Sequence, residues 1–154
     1  MKKLFYTLIL LPLSILMSCQ DDNISPVDMT LTLSGVSVSN NKFYTVAGEN
    51  VTIDNLTVKA VDGKNTNLAN VVFDLNGAVI LRNPADENFG SFSTESLAEG
   101  TYSLNVSGNL LQVDSSIQVF AVTYPLTVVE SAEDLPTDAV DLGTYSMTLR
   151  IADK

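Results

Sequence analysis

From Met29 to Val129 the chain rarely runs more than about a dozen residues between turn signals, and between them apolar and polar residues alternate. Period-two alternation over short runs builds strands with one buried face, and no convincing helical-period stripe competes with it. The firmest local instruction is Val71-Val72-Phe73-Asp74-Leu75, then Asn76-Gly77, then Ala78-Val79-Ile80-Leu81-Arg82. Asn-Gly between two apolar runs is the preferred two-residue hairpin turn, because both positions need positive φ. Leu31, Leu33, Val36 and Val38 break their alternation at Gly35, which predicts a bulge or a change of sheet there.

Further runs follow at Phe43–Val46, Val51–Ile53, Leu56–Val61, Ser91–Thr94 and Ile117–Tyr124, the last continuing to Val129 beyond a bend at Pro125. Turns are expected at Gly48-Glu49-Asn50 and Asp62-Gly63-Lys64-Asn65, and a polar loop over residues 83–90. Leu97-Ala98-Glu99-Gly100-Thr101-Tyr102 then enters an alternating strand with Tyr102, Leu104 and Val106 inward. Leu, then Gly, then Tyr two residues on resembles the corner of bacterial extracellular immunoglobulin-like domains, where the tyrosine hydroxyl ties back to the preceding turn. The resemblance implies an all-β fold, an immunoglobulin-like antiparallel β-sandwich of about seven to nine strands over residues 29–129. Gly-Thr-Tyr-Ser at 100–103 recurs at 143–146, so residues 130–154 read as an acidic linker with an added strand on the same sandwich.

The amino terminus is of another kind. Lys2 and Lys3 precede an apolar run that is too short to span a membrane comfortably and is interrupted by Pro12. It ends in Leu16-Met17-Ser18-Cys19, which resembles the lipobox of bacterial lipoprotein signals. The resemblance implies a signal peptide over residues 1–18, cut before Cys19, with Cys19 carrying the lipid. Two or three acyl chains anchor stably where one alone would not. Gln20-Asp21-Asp22 resembles a short acidic tag that directs some Gram-negative lipoproteins to the outer face of the outer membrane. Residues 19–28 are then a tether, and the domain is lipid-anchored and faces outside the cell.

Composition removes several function classes. The chain has no His, which excludes Ser-His-Asp and Cys-His sites and His-ligated zinc. Its one Cys permits neither an intrachain disulfide nor a thiolate cluster. A net charge of −10, more negative once Lys2 and Lys3 leave with the signal, argues against nucleic acid as a partner.

What remains are loop carboxylates and amides. Asp62, Asn65 and Asn67 form an oxygen-rich stretch, but Lys64 sits inside it and the alternating Asp ligands of a calcium loop are missing, so a plain turn accounts for it. Asp86 and Glu87 could supply oxygens from the 83–90 loop, with Phe89 beside them as a candidate exposed ring. Calcium is thus the one cofactor the loops admit, and no metal site is assigned. Residues 62–67, 83–89 and 107–110 are the candidate contact loops. The expectation is a non-catalytic, lipid-anchored envelope protein acting as an adhesion, binding or scaffold module toward a protein or glycan. A carbohydrate-capturing accessory domain of a nutrient-uptake system is the second reading and would require exposed flat rings. A glycan-cleaving enzyme is the third and would require two facing carboxylates.

Overall fold

The computed structural model describes residues 26–83, 89–112 and 117–151. Nine strands run through them: β1 (Val27–Ser39), β2 (Lys42–Val46), β3 (Asn50–Ala60), β4 (Thr66–Leu75), β5 (Ala78–Asn83), β6 (Ser91–Ser93), β7 (Gly100–Gln112), β8 (Ile117–Val129) and β9 (Gly143–Ile151). A 3-10 turn over Ala132–Asp134 is the only helical element among the described residues. The protein is all-β, as the alternation requires. The strands hydrogen-bond in the order β5-β4-β7-β8-β2-β1-β3-β6, with β9 added on β1, and the sheet curls nearly into a barrel.

The curl originates in β1. From Val27 to Ser34 this strand pairs with β3 on one side and with β9 on the other; from Ser37 to Ser39 it pairs with β2 instead. Gly35 stands at the changeover. Its φ is +80°, and a Cβ there would run into the carbonyl oxygen of Asn50. Both demands select glycine. The buried Thr45 hydroxyl donates to the Gly35 carbonyl at 2.8 Å, which holds β2 against the bend.

Two expected strands prove to be one. β3 runs unbroken through Asp54, where a register shift against β1 separates the Leu33–Ile53 and Thr32–Asn55 pairs. That bulge lets Val51, Ile53, Leu56 and Ala60 all turn inward. β8 likewise continues through Pro125, which pairs with Ser103 of β7. Proline is accommodated because the parallel pairing of β2 with the other side of β8 begins only at Leu126.

One core serves both portions of the sheet. Met29, Leu31 and Leu33 of β1, Phe43 of β2, Phe73 of β4, Leu104 of β7, and Tyr124 and Leu126 of β8 are fully buried and belong to a single cluster. Each such side chain contributes roughly 1.5–3 kcal/mol through removal from water. Tyr124 also spans the core, its hydroxyl donating to the Met29 carbonyl at 2.9 Å. Burial pushes its phenol above the ordinary tyrosine range, so it remains a donor.

β9 is stitched to β1 along the outer face. Thr30 meets Thr148 at 2.7 Å, Thr32 meets Ser146 at 2.8 Å and Ser34 meets Thr144 at 2.6 Å. Arg150 closes the ladder with two bonds to Asp28, at 2.8 and 3.1 Å. The tether expected to reach residue 28 therefore stops short: Val27 is already buried in the core, and Asp28 is held by Arg150.

Candidate interaction surface

Of the expected contact residues, Asp62 is committed to its own turn. Its Oδ1 accepts from the Lys64 backbone N–H at 3.0 Å, and its Oδ2 lies 3.1 Å from the Lys64 ammonium. A lysine thus occupies the place a cation would take. Asn65 is exposed in the same turn, and Asn67 is exposed in β4, opposite Leu111 of β7. Phe89 is no exposed platform. It is half-buried, edge-on to Phe73 with ring centroids 5.7 Å apart. Leu16, Met17, Ser18, Cys19, Gln20, Asp21, Asp22, Asp86 and Glu87 lie outside the described residues.

Residues 107–110 form no loop. They lie inside β7, paired with Ala121 to Gln118 of β8. Gly108 is there for packing: a Cβ would stand 3.0 Å from the Ala69 carbonyl oxygen and 3.1 Å from the Phe120 ring. Across from it β4 bulges at Asn70, which takes a φ of +53°.

Both Gly-Thr-Tyr-Ser segments build the same corner. The Tyr102 hydroxyl donates to the Ala98 carbonyl at 2.8 Å, and the Tyr145 hydroxyl donates to the Asp141 carbonyl at 3.0 Å. Each corner fixes the entry of a strand, β7 in one case and β9 in the other. The hairpin turn between β4 and β5 is as the sequence dictates, with φ of +48° at Asn76 and +88° at Gly77. Asn76 does more than turn: its Oδ1 accepts from the Ser103 N–H at 2.7 Å, tying the hairpin to β7. From there a polar chain crosses the outer face. Asp74 Oδ1 accepts from Asn105 Nδ2 at 2.8 Å, and Asn105 Oδ1 accepts from Thr123 at 2.7 Å.

Beyond that chain, along the β7–β8 hairpin, the outer face turns apolar. Leu111 stands opposite Ile117, and Val119 stands opposite Asn109. Val119 is 78% exposed, Ile117 66% and Leu111 37%. The other large exposed apolar side chains among the described residues are Val61, Val79 and Val140, so every one is aliphatic. The aromatic rings lie inward or half-covered: Phe43, Phe73, Phe120 and Tyr124 are buried, while Tyr102 and Tyr145 are half-buried with their hydroxyls bonded. Sequence reasoning missed this patch, although Ile117 and Val119 fall on the outward phase of a strand whose inward phase, Phe120 and Tyr124, is evident.

The same strand has an open side. β8 pairs with β7 throughout, but β2 covers its other edge only from Leu126 to Val129. Among the described residues, no strand pairs with that edge between Val119 and Tyr124.

No protein-family model matches the chain, and no curated protein matches it.

Proposed function

We propose that this chain is a non-catalytic lipoprotein of a Gram-negative envelope, anchored through Cys19 and displayed outside the cell, where its domain binds another protein. The domain is read as an immunoglobulin-like β-sandwich. Three features support that architecture: β1 changes partners at Gly35, β2 runs parallel to the late strand β8, and Tyr102 closes the corner ahead of β7.

The observation that carries the binding reading is the apolar patch of Leu111, Ile117 and Val119, grouped together on β7 and β8. Exposed aliphatic side chains grouped on one hairpin suit protein contact. Stacking of sugars calls for flat rings, and the exposed large apolar side chains among the described residues include none.

Fractionation tests the anchor. The wild-type chain should sediment with membranes and Cys19→Ala should be released; a Cys19→Ala chain that stays fully membrane-bound overturns it. Titration with envelope oligosaccharides tests the partner class. Saturable binding there would replace the protein-binding reading with the glycan one.

A further inference from the structure

We infer that the edge of β8 from Val119 to Tyr124, with which no strand among the described residues pairs, is a strand-addition site for an extended segment of another protein, apolar on one face and cationic at one end. The inference rests on the protein-binding reading above and is independent of the lipid anchor.

The chemistry of the edge is the first argument. A free edge presents backbone N–H and C=O groups ready to template another strand, and proteins ordinarily blunt such edges with charge, proline or shortness. Two other edges of this sheet are blunted in that way: β6 has three residues, and β5 carries the exposed Arg82. Val119 to Tyr124 reads Val-Phe-Ala-Val-Thr-Tyr, with no charge and no proline until Pro125. On the outer face, the exposed Val119, Ala121 and Thr123 would be the direct cross-strand neighbours of an arriving strand, two of the three apolar.

Geometry fixes where the added strand would lie. β2 covers β8 from Leu126 onward, and the Asn40-Asn41 turn precedes β2. An added strand would therefore extend the line of β2 past that turn.

Charge selects the occupant. Beyond Val129, β8 passes into the segment 130–141, which carries Glu130, Glu133, Asp134, Asp138 and Asp141 and no Lys or Arg. Ser39 donates to Asp138 at 2.8 Å, which places this one carboxylate of the segment beside the β1–β2 turn, where Lys42 is the one basic residue. The end of the added strand nearest that turn would approach Asp138, part of a segment that holds no basic residue, so a cationic end is favoured. A second copy of the chain, with a net charge of −10, would bring like charges together.

The probe is a synthetic peptide alternating valine and threonine with a lysine-rich end, titrated into the full chain carrying Cys19→Ala and followed by NMR and amide hydrogen exchange. Saturable binding should slow exchange of the β8 amides between Val119 and Tyr124 that point away from β7. Replacing the lysines by glutamates, or introducing Val119→Lys, should weaken binding by about tenfold or more. Val79→Lys, on β5, should leave it unchanged. No saturable binding, or binding without protection of those amides, overturns the inference. A concentration-dependent dimer abolished by Val119→Lys also overturns it, because the edge would then serve a second copy. Oligosaccharide binding without peptide binding would remove both this inference and the protein-binding reading, whereas failure of the peptide alone leaves that reading standing.

Discussion

Replacing Gly35 by alanine should cost far more than the same replacement at Gly48, and the difference measures the bend that makes one core out of two portions of sheet. Gly35 has a φ of +80°, Gly48 a φ of +90°, so both variants place an L-residue in left-handed backbone. That penalty is about 1–2 kcal/mol. At Gly48 nothing lies within 4 Å of the new Cβ, and the cost should stop there. At Gly35 the Cβ meets the Asn50 carbonyl oxygen, a backbone atom that can yield only if β1 and β3 separate. Overpacking of this sort adds about 1–3 kcal/mol. Gly35→Ala should therefore lose about 3 kcal/mol in all, roughly 2 more than Gly48→Ala, by urea unfolding with equal denaturant slopes for both. Equal losses within about 0.5 kcal/mol would mean that the close approach at Gly35 is not what shapes the sheet.

Asn76→Val should lose about 2–3 kcal/mol by the same assay, combining strain at φ +48° with loss of the acceptor for the Ser103 N–H; Asn76→Gly should relieve the strain and lose only the bond, about 1 kcal/mol. Tyr124→Phe, which deletes the buried bond to Met29, should cost about 1–2 kcal/mol, more than Tyr102→Phe at its half-buried corner. Ser37 is fully buried and its hydroxyl has no partner among the described residues, so Ser37→Ala should leave stability unchanged or raise it by up to about 1 kcal/mol; a clear loss would reveal a hidden partner. Hydrogen bonding from Arg150, with the charges of Arg150 and Lys59, holds Asp28 below its ordinary value of 3.8. A depressed carboxyl contributes stability above that value and loses it as pH falls through the lower folded value, so the difference between wild type and Arg150→Ala should vanish in strong acid and shrink with added salt.

Much of the fold is written locally. Asn76-Gly77 can hardly be anything but a tight turn, Gly35 marks its switch by breaking an alternation, and Tyr102 announces a corner through the residues around it. Other features depend on distant partners. Asn40 and Asn41 both take positive φ, +47° and +56°, and form a second two-residue turn. Without a glycine, that pair signals a turn less clearly than Asn76-Gly77 does. Gly108-Asn109 looks like loop chemistry, yet the glycine answers Ala69 and Phe120, which only the register of β4, β7 and β8 brings close. Phe89 sits in a polar stretch and still finds Phe73. The candidate surface was the least legible part, because an open edge belongs to strand order: Val119 to Tyr124 would read the same whether or not another strand covered it.

Protease shaving of intact cells, followed by detection of the β-domain, tests the account most directly. The account predicts that signal from whole cells is lost at once, and that Cys19→Ala cells have no surface signal to lose. Full protection until the outer membrane is broken would contradict surface display and turn the search for a partner inward, to the periplasm.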